Sequence, residues 1–97
     1  MERETIKQYS FYGTSIPEYM IEGIYLYINK GIEPGNFLTE LISNDLFAAV
    51  GRADDTNINL LPTYCAFFYN EAPANCYGSK AQFSAWCKLG GLEGNIR

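Results

Sequence analysis

Residues 60–73, LLPTYCAFFYNEAP, constrain the fold most, because a helix formed by this segment carries apolar side chains on every side. Such a helix is buried by neighbouring elements all around it. The residues expected to be buried in this way are Leu60, Leu61, Tyr64, Cys65, Phe67, Phe68 and Tyr69. The flanking segments have one-sided apolar patterns. The sequence therefore predicts an all-α fold, a compact bundle of about four helices around this central apolar helix.

The helical domain is expected over residues 15–90, between an N-terminal arm of residues 1–14 and a C-terminal tail of residues 91–97. The arm has no clear period, and its Tyr, Phe and Ile content is compatible with either a short extended strand or a packed arm. A chain of 97 residues is long enough for one core. Because no run of about 18 apolar residues and no signal-peptide pattern is present, we expect a soluble intracellular protein without membrane contact.

The first helix of the domain has clear signals at both ends. Ser15 with Glu18 three residues later matches a capping box, and Pro17 falls in the first turn, where its missing N–H does no harm. Gly31 is expected to end the helix in a left-handed conformation. Gly23 lies inside this helix at a cost of about 1 kcal/mol relative to Ala, which predicts the close approach of a neighbouring helix.

The second helix is expected to run without interruption over residues 36–54, with Asn36 as its cap. The positions that keep one helical phase are Leu38, Leu41, Ile42, Leu46, Ala49 and Val50. Asp45 lies close to this stripe, so its carboxylate needs hydrogen bonds or a charge partner.

Two starts are compatible with the central helix. Either Asn59 caps it and Pro62 lies in the first turn, or it begins at Asp54 or Asp55 and is kinked at Pro62. Pro73 ends it in both cases.

The last helix has a second capping box, formed by Ser79 and Gln82, and is expected to stop at Gly90 and Gly91. Its inner face is expected to carry Phe83, Trp86 and Cys87.

The charge of the chain disfavours two classes of partner. The net charge is −4, and the segment between Gly31 and Ser79 contains six acidic residues but a single basic one, Arg52. Binding to duplex nucleic acid or to an anionic membrane needs clustered Lys and Arg, so neither is expected.

The cysteines argue against metal and enzymatic chemistry. The chain has three cysteines without CxxC spacing and no His, which excludes the usual zinc sites, so we expect no metal and no cofactor. Cys65 and Cys87 are expected to be small core residues, and a disulfide is not the expected state in a reducing compartment. Cys76 lacks the His that commonly activates a nucleophilic cysteine. We therefore expect no enzymatic activity.

Two features are candidates for ligand binding. The first is the run Cys76, Tyr77, Gly78, Ser79 with Lys80 behind it, at the start of the last helix. Free backbone N–H groups, the helix dipole and a ring for stacking can hold a phosphate-bearing ligand there. The alternative interpretation is an ordinary capped helix start.

The second candidate feature is the polar set Asn44, Asp45, Arg52 and Asn70 on otherwise apolar helices. Asp45 and Arg52 are seven residues apart and would share one helix face, about 10 Å apart along the axis. They would bracket a ligand or meet partners from a second subunit. The alternative is a structural network in which the polar groups satisfy one another.

Most of the chain, residues 16–89, resembles a family of small proteins encoded by bacteriophages and prophages. The residues that carry the resemblance are Pro34, Gly35, Phe37, Leu38, Thr39, Asn44, Asp45, Leu46, Arg52, Ala53, Asp54, Tyr69, Asn70, Cys76, Tyr77, Gly78 and Ser79. The resemblance implies a phage accessory protein in the cytoplasm of a bacterial host and supplies no catalytic residue. Residues 1–14 lie outside it.

Aromatic residues make up 15% of the chain, so some rings are expected in a pocket or at an interface. Together with the resemblance, this suggests a counter-defence or host-takeover protein that binds and sequesters a small nucleotide-type signal without turnover, as a homo-oligomer. The expected ligand-binding residues are Asn44, Asp45, Arg52, Asn70, Tyr77, Gly78, Ser79 and Lys80. The alternative is an inhibitor or adaptor that binds a bacterial host protein through exposed aromatics and an acidic surface, and an enzyme is a third hypothesis.

Overall fold

The helical prediction is confirmed by the computed structural model, which describes residues 1–94. Within that range the protein is mostly helical, with seven α-helices and one two-stranded hairpin. In chain order the elements are α1 (Arg3–Gln8), β1 (Ser10–Phe11), β2 (Thr14–Ser15), α2 (Glu18–Lys30), α3 (Asn36–Ile42), α4 (Leu46–Arg52), α5 (Leu61–Glu71), α6 (Lys80–Leu89) and α7 (Gly91–Gly94). The helices are shorter and more numerous than the four expected. Of the expected C-terminal tail, residues 91–94 form α7, and residues 95–97 lie outside the described range.

The N-terminal segment folds as a helix and a hairpin. Ile6 of α1 is fully buried in the core, and Arg3 pairs with Glu22 of α2 at 2.7 Å. The strands join through a tight turn in which Tyr12 and Gly13 both have positive φ angles, 49° and 80°. This is the backbone geometry that favours a two-residue hairpin. The segment is therefore attached to α2 instead of extending away from the fold.

The expected capping box of α2 does not form. Ser15 pairs with Ser10 in the hairpin, so its side chain does not cap the helix, which begins at Glu18 after an extended Pro17. The prediction for the other end is confirmed, because Gly31 has φ 68° and ends the helix in the left-handed region.

The close approach expected at Gly23 occurs elsewhere. A Cβ atom on Gly23 would lie 3.8 Å from Leu38 Cδ1, an ordinary contact distance. A Cβ on Gly31 would instead lie 2.8 Å from Gly91 N, and one on Gly91 would lie 2.6 Å from the carbonyl carbon of Asn29. The end of α2 and the start of α7 therefore meet backbone against backbone at two left-handed glycines.

The single helix expected over residues 36–54 is broken into α3 and α4. Asn44 has φ 64° and turns the chain, and the Asp45 carboxylate accepts a hydrogen bond from Ala48 N at 3.1 Å to cap α4. The turn rotates α4 relative to α3, so Leu46 and Val50 leave the stripe and are exposed. A local cap has thus overridden a continuous apolar pattern.

Pro62 lies in the first turn of α5, and the helix has no kink there. The cap residue is nevertheless Leu60 and not Asn59, because a 3₁₀ turn (Asn57–Leu60) precedes the helix, which begins at Leu61. That turn is fixed by Asp54, whose carboxylate accepts hydrogen bonds from the backbone N–H of Thr56 and of Asn57 at 3.1 and 2.7 Å.

The burial of α5 on every side is not observed. Tyr64, Phe67 and Phe68 are buried, but Tyr69 is 76% exposed and Cys65 is also exposed. No described element packs over this side of α5, which forms the wall of a cavity.

Tyr27 of α2 connects the core to the C-terminal part of the chain. Its hydroxyl donates to the carbonyl oxygen of Cys76 at 2.6 Å, and its own carbonyl oxygen accepts from Trp86 Nε1 at 2.9 Å. The Phe83 ring stacks on the Tyr27 ring with centroids 5.3 Å apart. The inner face predicted for α6 is confirmed at Phe83 and Trp86, whereas Cys87 is half-buried.

Candidate functional site

The exposed side of α5 borders a cavity of about 650 Å³. Its other walls are the hairpin, the C-terminal end of α3 and the loop before α6. The aromatic residues of the wall are Phe11, Phe68, Tyr69 and Tyr77, and the side-chain amides are Asn44 and Asn70. None of the described residues that line the cavity is charged. The site is therefore neutral and rich in rings.

The hairpin wall is held against α5 by polar and aromatic contacts. Thr63 Oγ1 donates to Thr14 Oγ1 at 3.0 Å, and Asn70 Nδ2 donates to the Tyr9 hydroxyl at 3.3 Å. The Tyr9 ring packs edge-on against Phe67 with centroids 5.5 Å apart. These contacts fix the position of the adjoining β1 strand and bring Phe11 into the cavity wall.

The opposite wall is tied to α3 by Gly78. Its N–H donates to the carbonyl oxygen of Ile42 at 2.9 Å, and its φ of 116° suits glycine. A Cβ here would lie 2.7 Å from Gln82 Oε1. Beside it, the Tyr77 ring lies 6.3 Å from the Phe68 ring. The loop thus presents Tyr77 to the cavity and uses the Gly78 N–H internally.

The structure brings four of the eight expected ligand-binding residues together at this cavity: Asn44, Asn70, Tyr77 and Gly78. Asn44 reaches it because of the turn between α3 and α4. Asn70 is on the exposed side of α5 and keeps its carbonyl oxygen free of hydrogen bonds to the rest of residues 1–94.

The other four expected residues lie elsewhere. Ser79 caps α6 by accepting a hydrogen bond from Gln82 N at 3.1 Å, as predicted. Asp45 and Lys80 line a polar groove beside α3, and Arg52 lines a different groove next to Asp54. Asp45 and Arg52 do not share a cavity among those described, and Asp45 is exposed instead of buried against the core.

The lining residues that the sequence analysis did not name as ligand-binding include Phe11, Cys65 and Tyr69. Phe11 belongs to the segment for which no element was assigned, and the other two were placed in the core. A signal was present, because Pro62, Cys65 and Tyr69 recur at helical spacing with Ala66 between them and so share one side of α5.

The thiols of the protein are poorly suited to nucleophilic chemistry. All three are free. The pKa of Cys65, a residue exposed at the surface, is raised by partial desolvation of its thiol, and burial raises the pKa of Cys87, with the nearby Glu33 adding to that shift. Burial raises the pKa of Cys76 to about 12. At neutral pH each cysteine is therefore held as the thiol, whereas the thiolate is the reactive form.

Residues 1–94 contain no group of three His, Cys, Asp or Glu side chains that could hold a metal ion. No helix in the same range has the length and apolar content needed to cross a membrane. Comparison of the chain with protein-family models, with curated proteins and with solved structures found no match.

Proposed function

We propose that this protein is a non-catalytic binding protein that takes up a small nucleotide-type ligand in the cavity between the hairpin and α5. The observation that carries the proposal is the composition of the cavity, in which four aromatic rings and two side-chain amides share one space of about 650 Å³. Small-molecule sites in proteins commonly enclose about 300–1,000 Å³ and combine apolar walls with a few polar groups that orient the ligand.

Sequestration without turnover is supported by the chemistry of the lining. Cys65 is the cysteine in the cavity wall, and its raised pKa keeps it protonated. The remaining lining groups are rings, aliphatic side chains and amides. Such groups hold and orient a ligand. Apart from the Tyr69 and Tyr77 hydroxyls, they include no acid or base, and the described lining has no carboxylate, imidazole or amine to activate water for hydrolysis of a nucleotide.

The biological part of the proposal rests on the resemblance in sequence to phage-encoded proteins. In this proposal the protein acts inside a bacterial host as a counter-defence or host-takeover factor that withdraws a nucleotide-type signal, and it does so as a homo-oligomer. Native mass spectrometry of the protein with and without added nucleotides reports the assembly mass and the bound ligand together.

A second candidate function is supported by the outer surface of α4. Phe47 is 90% exposed and Leu46 63% exposed, while Ala49 is the one residue of α4 that is buried. Large exposed apolar side chains on one element are typical of a protein-binding surface. The corresponding hypothesis is an inhibitor or adaptor that binds a bacterial host protein through α4.

Two alanine variants separate the candidates. For Tyr69→Ala we expect the affinity for a nucleotide-type ligand to fall by about 1–3 kcal/mol, because stacking of a base on a ring is lost. Phe47→Ala is the matched control, since it removes another largely exposed ring, one that lies outside the cavity, and it should leave the ligand affinity unchanged. Isothermal titration calorimetry measures both.

The opposite pattern supports the second candidate. If Phe47→Ala weakens binding of a purified host partner while Tyr69→Ala does not, and no nucleotide of the panel binds, the cavity is not the functional site. Both side chains are exposed, so neither substitution is expected to affect folding.

A further inference from the structure

The cavity has a charge pattern unlike that of a phosphate site. None of its described lining residues is a cation, and the Gly78 N–H is already bonded to Ile42. Gln82 N, at the start of α6, is bonded to Ser79. An anion placed here would lose its hydration without gaining charged partners, which is unfavourable. The neutral part of a nucleotide is therefore the part that this cavity fits.

The rings of the cavity suit a flat ligand. Tyr69 is largely exposed and Tyr77 is half-buried, so both rings keep surface available for a further aromatic partner. A heterocycle gains stacking on such rings whatever its substituents, because every base has a π face. Stacking therefore provides affinity here but little selectivity between bases.

Selectivity has to come from the two side-chain amides. An Asn side chain offers an N–H donor and a carbonyl acceptor side by side, and this pair matches the adjacent acceptor and donor on the edge of adenine. The corresponding edge of guanine presents two acceptors and is commonly bound by Arg or Lys, neither of which lines the described cavity.

The two amides are held in different ways. The turn between α3 and α4 places Asn44 at the cavity, and no side-chain hydrogen bond to the rest of residues 1–94 engages its carboxamide. Asn70 is oriented by its 3.3 Å hydrogen bond to the Tyr9 hydroxyl, which leaves its carbonyl oxygen as an acceptor. Asn44 can thus offer a donor and an acceptor together, and Asn70 adds an acceptor.

We propose that the cavity recognises the heterocycle of its ligand and not the phosphate, with an adenine-type base as the preferred class and Asn44 and Asn70 as the specificity-determining residues. This inference rests on the proposed function. It also means that Arg52 and Lys80, which lie in other grooves, do not contribute to affinity within one subunit.

Calorimetry with four probes tests the inference on the full chain: adenosine, adenosine 5′-monophosphate, guanosine and ribose 5-phosphate. We expect adenosine and its monophosphate to bind within about threefold of each other, since the phosphate gains little in the neutral site. Guanosine should bind at least about tenfold more weakly than adenosine, and ribose 5-phosphate should not bind.

Asn44→Gly is the informative variant, because glycine keeps the left-handed turn and removes the amide. We expect this variant to bind adenosine about tenfold more weakly or worse than the wild type. The ratio of its affinities for adenosine and guanosine should also be smaller. Asn59→Ala, at an exposed position outside the cavity, should change neither value. A circular dichroism melt of each variant verifies that the fold is intact.

The possible failures are distinct. If the monophosphate and ribose 5-phosphate bind but adenosine does not, the phosphate is what is recognised, and the inference is overturned while the proposed function stands. If guanosine binds as well as adenosine, or Asn44→Gly binds like the wild type, the assignment of selectivity to the amides is overturned. If none of the four probes binds, the proposed function itself fails.

Discussion

The ionisation of Asp54 is linked to local structure. Its carboxylate accepts hydrogen bonds from the Tyr19 hydroxyl at 2.6 Å and from two backbone N–H groups of the turn before α5. The Tyr19 hydrogen bond, together with the backbone ones, lowers the pKa of Asp54, and the same bond raises the pKa of Tyr19. One side chain therefore connects the start of α5 to the first turn of α2.

This connection predicts an acid-sensitive contribution to stability. Because the folded-state pKa of Asp54 is below its unfolded value, its stabilising effect is complete above the unfolded pKa and is lost as the pH falls through the folded pKa. Asp54→Asn should lower the free energy of unfolding at neutral pH, and the difference from the wild type should shrink towards pH 3. Urea titrations at several pH values measure it.

Asp55→Asn is the control for this experiment, since Asp55 is adjacent and exposed but its side chain makes none of these hydrogen bonds. A wild-type advantage over Asp54→Asn that stays constant from pH 7 to pH 3 would contradict the assignment to the carboxylate.

At the level of the elements, α4 has little support from the core. It packs mainly on α3 and buries Ala49 alone, whereas α2 buries five residues and contacts both α1 and α7. Helices with few buried contacts open locally at lower free energy than the whole domain. We therefore expect α4, which carries the exposed Phe47, to open more easily than α3, a helix of the same length.

Hydrogen exchange measures this difference directly. We expect the backbone amides of α4 to exchange well before those in the middle of α2, with α3, which is also seven residues long, as the reference for length. Protection of α4 equal to that of α2 in the isolated protein would show that its outer face is covered, as it would be in an assembled oligomer.

Sequence reasoning was most successful where one residue decides an element's end. Gly31 and Ser79 were identified because a left-handed glycine and a serine cap have local causes. The break at Asn44 was missed, since the apolar phase continues through it and the outcome depended on whether Asp45 would cap or be buried. The prediction that Ser15 caps α2 was wrong for a similar reason. Pairing of Ser15 in the hairpin competes with capping, and a helical pattern in the sequence does not reveal that pairing.

At the scale of the whole molecule, the prediction that α5 is buried on every side was wrong. Composition identifies apolar side chains, but it does not decide which of them other elements will cover. The apolar side chains of that helix were identified correctly, but whether Cys65 and Tyr69 would be covered depends on the number and placement of the other elements. Since no described element covers them, the cavity forms there. The candidate site thus lies where the sequence-based prediction of the core was wrong, and four of the eight expected ligand-binding residues nevertheless line it.

The backbones at Gly31 and Gly91 are in close contact, and substitutions test how much this contact contributes to stability. Gly91→Ala would place a side chain 2.6 Å from backbone atoms of α2 at a positive φ, so we expect a loss of at least about 1–3 kcal/mol in the free energy of unfolding. Gly23→Ala should instead stabilise the protein by about 0.5–1 kcal/mol, because its neighbours are at ordinary contact distance and Ala favours the helix. Chemical denaturation measures both.

Gly13→Ala is the control that separates the cost of a positive φ angle from the cost of a steric clash. Its φ is 80°, but nothing lies within 4 Å of the added Cβ, so it reports the conformational cost alone. If Gly91→Ala is no more destabilising than Gly13→Ala, the backbone contact between the two helix ends does not contribute as described.

The bond between Trp86 and Tyr27, 59 residues apart, has a consequence during synthesis on the ribosome. Tyr27 is translated before Phe83 and Trp86, the two residues of α6 that pack on it. Until then a nascent chain carries an uncovered apolar helix, a surface that chaperones bind and that favours aggregation. Polypeptides released before α6 would keep that surface, so a translation product interrupted there is expected to be degraded instead of persisting as a partly active protein.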